Sequence, residues 1–74
     1  MGYGIQMIGG EHDTMYASED GYLTKFINTA VVFKNSYYPH NLCFHWNKED
    51  TCGGKWVTVE FYIDENGNLN SREY

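Results

Sequence analysis

Basic side chains are scarce in this chain. Its 74 residues include 5 Lys or Arg against 10 Asp or Glu, a net charge of −5. An acidic surface repels the phosphate backbone, so direct nucleic-acid binding is disfavoured and a basic protein surface becomes the expected partner. No apolar run approaches the roughly 20 residues needed to span a bilayer. With a mean hydropathy of −0.58, the chain is not expected to be a membrane protein. Cysteine is limited to Cys43 and Cys52. The opening Met1-Gly2-Tyr3-Gly4 lacks the basic and apolar regions of a secretory signal. A complete small cytoplasmic protein with reduced thiols is therefore expected. No catalytic or nucleotide-binding signature, repeat, linker or low-complexity tract stands out, and no cofactor is expected.

What the chain does have is aromatic residues, at 18% of its length. Seventy-four residues make one domain, of a size at which a single core gives marginal stability. Large rings let few residues make a usable core. The clearest pattern runs from Asn41 to Glu73. Leu42, Phe44 and Trp46 alternate with Cys43, His45 and Asn47, and Val57, Val59, Phe61 and Ile63 alternate with Trp56, Thr58, Glu60 and Tyr62. Period-two alternation places one set on each face of a strand. Strands over 41–47 and 55–63 follow, joined by the Lys48–Gly54 loop as a hairpin. For the next turn, a loop of Glu65, Asn66 and Gly67, with Gly67 left-handed, pairs Ile63 with Leu69. A tighter Asn66-Gly67 turn would put Leu69 in solvent.

Upstream, alternation predicts a strand over Tyr3–Ile8, a turn over Gly9–Asp13 and a short returning strand over Thr14–Ala17. Ser18, Glu19 and Asp20 resemble a helix start. Leu23, Phe26, Ile27, Ala30 and Val31 follow at helical spacing, so a helix is read over 19–34. The β-branched Thr24, Ile27, Thr29, Val31 and Val32 weigh against it, and Thr29–Phe33 as a strand is the alternative. Pro39 biases Tyr38 away from helical geometry and marks 35–40 as a connection. The expected fold is α+β: an N-terminal strand or hairpin, one helix and a C-terminal three-stranded antiparallel meander. In this reading the helix packs Leu23, Phe26, Ile27 and Ala30 on the Leu42/Phe44/Trp46 and Val57/Val59/Phe61/Ile63 stripes.

Candidate chemistry is sparse. His40, Cys43, His45 and Cys52 are zinc-type ligands, but their spacing matches no zinc signature and Cys-x-His on a strand chelates poorly. A zinc-stabilised module is therefore a secondary reading, and no metal residue is assigned. A Cys43–Cys52 disulfide across the hairpin is sterically allowed. His45 with Glu60 is the pair a small nuclease-like enzyme would use, against the plain alternative of a cross-strand surface pair. No catalytic residue is assigned.

Binding residues are more plausible. Tyr37, Tyr38, Trp56 and Tyr62 are ring types enriched at interface hot spots. Glu11, Asp13, Glu19 and Asp20, with Glu49, Asp50, Asp64 and Glu65, supply acidic surfaces. The 49–50 and 64–65 pairs should lie roughly 25 Å apart, a strand's length, as a run of phosphates would. The expected function is a non-enzymatic inhibitor or modulator of the phage or mobile-element type. It would occupy a basic surface on a larger protein, including a nucleic-acid-processing enzyme. Exposed rings and sheet edges also permit a homodimer.

Overall fold

The structure, a computed structural model, describes residues 2–74; Met1, the first residue of the opening read for a secretory signal, lies outside them. The elements are β1 (Tyr3–Ile8), β2 (Tyr16–Ala17), β3 (Leu23–Thr24), a 3-10 turn (Ile27–Thr29), α1 (Tyr37–Trp46), β4 (Lys55–Ile63) and β5 (Leu69–Glu73). The strands form one antiparallel five-stranded sheet in the order β3-β2-β1-β4-β5. The α+β class holds, with one α-helix among the described residues.

The helix is not where the spacing placed it. Residues 19–34 form no α-helix: Ser18 begins a tight turn between β2 and β3, and its backbone N–H donates to Tyr22 O at 2.9 Å. The Asp20 carboxylate accepts from the Ser18 hydroxyl and from Tyr22 N, so the polar groups read as a helix start close a hairpin instead. After the 3-10 turn, residues 30–33 run extended, with bridges Ser18↔Ala30 and Tyr3↔Phe33. The run of β-branched residues prevails over the helical spacing there.

The 41–47 segment is the helix, not a strand. Its N-terminus is organised by Asn35, whose Oδ1 accepts from Tyr37 N at 3.1 Å and Tyr38 N at 3.4 Å. Pro39 stands in the first turn, where a missing N–H costs the helix no bond. Pro39, Leu42, Cys43 and Trp46 make the inward stripe at helical spacing, and Phe44, 60% exposed, points away from the sheet. The meander therefore has two C-terminal strands rather than three. The strand beside β4 is β1, in the register Tyr3↔Glu60 to Ile8↔Lys55. The 48–54 loop joins a helix to a strand.

The last hairpin follows the three-residue loop. Ile63 pairs with Leu69, and Gly67 has φ +82°. Asp64 ties the loop, its Oδ1 accepting from Asn66 N and Asn68 N at 2.9 Å each.

Both sheet faces are covered, by different pieces. Val57, Val59 and Phe61 pack with Tyr16 and Ala30, and Ile27 and Leu69 close the edges. The aliphatic stripe is thus covered by the 3-10 turn and Ala30 that follows it, and α1 belongs to the opposite face. On the opposite face, Cys43 of α1 packs with Ile5 and Ala17, flanked by Leu42, Trp46 and Trp56. An amide clip fixes the end of α1 to β4: Asn47 Oδ1 accepts from Trp56 N at 2.7 Å and its Nδ2 donates to Trp56 O at 2.9 Å.

Candidate functional site

The clip holds Trp46 and Trp56 edge to face, with ring centroids 5.3 Å apart and planes at 67°. A second aromatic pair, Phe33 and Tyr38, sits at 5.4 Å because the extended 30–33 segment runs directly into the start of α1. Between these pairs and the β2–β3 hairpin lies a groove of about 500 Å³. Val31, Phe33, Tyr38, Leu42, Trp46 and Trp56 contribute its apolar wall. Glu19, from the hairpin turn, and Glu49 and Asp50, just after α1, contribute carboxylates to the same lining. Among the described residues, no Lys, Arg or His lines it. The volume falls in the range of small ligand pockets.

Five residues selected from the sequence thus come together: Glu19, Tyr38, Glu49, Asp50 and Trp56. Others lie elsewhere. Tyr37 is exposed on α1 outside the groove. Tyr62 lies under the Arg72 guanidinium, 4.6 Å from the ring centroid to Cζ. Asp64 and Glu65 sit in the β4–β5 turn, beyond the C-terminal end of β4. Glu11 and Asp13 belong to the β1–β2 turn, which touches the 48–54 loop through Glu11 N donating to Cys52 O at 3.2 Å.

The carboxylates divide by length. All four aspartates accept backbone N–H groups in turns: Asp13 from Gly9, Asp20 from Tyr22, Asp50 from Cys52, and Asp64 from Asn66 and Asn68. These bonds leave the negative charge in place but commit the side chain. The Asp20 carboxyl is held below its ordinary 3.8 by the Ser18 hydroxyl and then by the Tyr22 N–H. Glu11, Glu19, Glu49 and Glu65 are exposed.

Among the described residues the zinc-type ligands read from the sequence do not converge, and Glu60 and His45 each have other neighbours. Glu60 pairs with Arg72, Oε1 to Nε at 3.2 Å, the one ion pair among the described residues. His45 is exposed on α1 with its ring against Phe44. Cys43 is buried, its Sγ 3.8 Å from the Thr58 hydroxyl, and burial pushes its thiol up from 9.0. Cys52 is exposed, and both cysteines are free.

The groove residues not selected from the sequence include Tyr22, Leu23, Val31, Phe33, Leu42 and Trp46. For Leu42 and Trp46 a signal was present, since Pro39, Leu42, Cys43 and Trp46 are spaced as a helix stripe, but Leu42/Phe44/Trp46 fits a strand equally well. In comparison with known proteins, no family model, no curated protein and no solved structure matches this chain.

Proposed function

We propose that this chain is a non-enzymatic binding protein whose groove receives a basic, partly apolar segment of a larger protein. The observation that carries the proposal is the lining itself: two tryptophans, two tyrosines and a phenylalanine beside three carboxylates, with no Lys, Arg or His among the described lining residues. A Lys or Arg side chain suits such a lining in two ways. Its apolar stem packs on the rings, and its charged end is attracted both to the ring faces and to the carboxylates. A basic surface used to hold nucleic acid would be blocked once its side chains occupied this groove. That makes an inhibitor or modulator of a nucleic-acid-processing enzyme the role we favour, of the kind mobile elements encode and acting in the cytoplasm.

The test uses the groove's own fluorophores. Trp46 and Trp56 are the only two tryptophans, and both line the groove. Titration with a peptide of alternating Arg and Leu should change tryptophan emission and saturate, with affinity falling as salt rises. A Glu-and-Leu peptide should leave emission unchanged. The Glu19→Lys/Glu49→Lys double variant should fold normally and lose the response. Equal responses to the basic and acidic peptides would sink the proposal.

A further inference from the structure

We propose that Glu11, His12 and Cys52 form a Zn²⁺ site that joins the β1–β2 turn to the loop before β4. Each offers one ligand atom, a carboxylate oxygen, an imidazole nitrogen and a thiol sulfur, and these atoms all lie within 4.8 Å of one another. It is the one such group of three among the described residues. The topology produces it. Ile8↔Lys55 is the last rung between β1 and β4, so the turn leaving β1 and the loop entering β4 emerge side by side. The bond from Glu11 N to Cys52 O at 3.2 Å locks the two backbones at that point. Cys52 takes the left-handed φ of +54°, and its N–H is held by Asp50.

The donor set selects the metal. Sulfur, nitrogen and carboxylate oxygen together suit Zn²⁺, whereas Mg²⁺ and Ca²⁺ take oxygen alone. Tetrahedral Zn²⁺ holds sulfur at about 2.3 Å and nitrogen or oxygen at about 2.0–2.2 Å, which places ligand atoms about 3.3–3.6 Å apart. Glu11 and Cys52 are exposed and His12 half-buried, so rotation of surface side chains closes the remaining gap without moving the core. Three protein ligands leave a fourth position for water. As the sulfur–metal bond forms, the Cys52 thiol releases its proton to solvent. The ion then bridges segments about forty residues apart in sequence and stabilises the folded chain by mass action. The site is separate from the groove, none of its three residues lining it.

Co²⁺ is the probe. Metal-free, phosphine-reduced protein titrated with Co²⁺ should show thiolate-to-cobalt charge transfer and the visible bands of tetrahedral cobalt, ending at one equivalent. Zn²⁺ should bleach them and raise the melting temperature, and EDTA should reverse the rise. Cys52→Ser should abolish the charge-transfer band, and His12→Ala should weaken Co²⁺ binding at least about tenfold. Cys43→Ser should change neither. Absence of the band in the unaltered chain, its survival in Cys52→Ser, or a melting temperature indifferent to Zn²⁺ would each overturn the proposal.

Discussion

At the scale of single residues, the core depends on a large ring seated where a glycine leaves room for it. Phe61 is 2% exposed and lies over Gly4, where a Cβ would come within 2.4 Å of the Phe61 ring. Tyr16 packs beside it, with ring centroids 6.0 Å apart, in the cluster that also holds Ala30, Val57 and Val59. Phe61→Ala would leave a cavity between rigid strands, and should cost about 3–5 kcal/mol. For a domain this small that is most of the stability, so urea denaturation should find the variant largely unfolded. A native midpoint would show that Phe61 is not a core residue. The turn aspartates act on a smaller scale. The Asp20 carboxyl has its pKa lowered by the Ser18 and Tyr22 hydrogen bonds, so the folded state favours the ionised form. The stability this contributes is complete above the unfolded value of 3.8 and is lost as pH falls through the lower folded value. Ser18→Ala should remove the principal cause and flatten that part of the acid unfolding curve, measured by circular dichroism against the unaltered chain.

At the scale of elements, α1 is held by side chains at its two ends. Asn47 satisfies both backbone groups of Trp56 and so fixes the last turn of the helix on the first rungs of β4. Asn47→Ala removes both bonds and should lower stability by about 1–2 kcal/mol, read as a shift in urea midpoint at unchanged slope. The tryptophan pair should loosen at the same time, seen as a change in near-ultraviolet circular dichroism. This is also the scale at which the sequence was ambiguous. Tyr3–Ile8, Lys55–Ile63 and the Ile63↔Leu69 register were all legible, because a strand with one residue type per face and a turn with a left-handed glycine each admit one solution. Residues 39–46 admit two, since Leu42 and Trp46 fall on one face under either period. Only Phe44 and Cys43 separate them, and the larger apolar residue is the one that faces water. The proline that argued against a helix is compatible with one in its first turn. For the groove, the charged and aromatic types were legible but their convergence was not. It depends on β1 pairing with β4 and on α1 crossing the face opposite the aliphatic stripe, neither of which is local in sequence.

At the scale of the whole molecule, the sheet is buried on both faces, and no helix among the described residues is long and apolar enough to cross a membrane. The proposed function rests on the charge pattern and the groove. These are separable, because β4 is nine residues long and holds the 48–54 loop and the 64–67 turn roughly 25 Å apart. The Debye length at 0.1 M salt is about 10 Å, so a charge beyond the far end of β4 is largely screened from the groove. Glu49→Lys and Glu65→Lys alter the net charge identically, and both side chains are exposed, so neither should disturb folding. If the groove carries binding, Glu49→Lys should weaken the Arg-and-Leu peptide severalfold and reduce its salt dependence. Glu65→Lys should then leave affinity within about twofold at 0.1 M salt, where screening isolates it, and show its own effect only when the salt is lowered. Equal losses from the two reversals at 0.1 M salt would mean that the acidic surface as a whole attracts the peptide and that the rings of the groove do not choose where it docks.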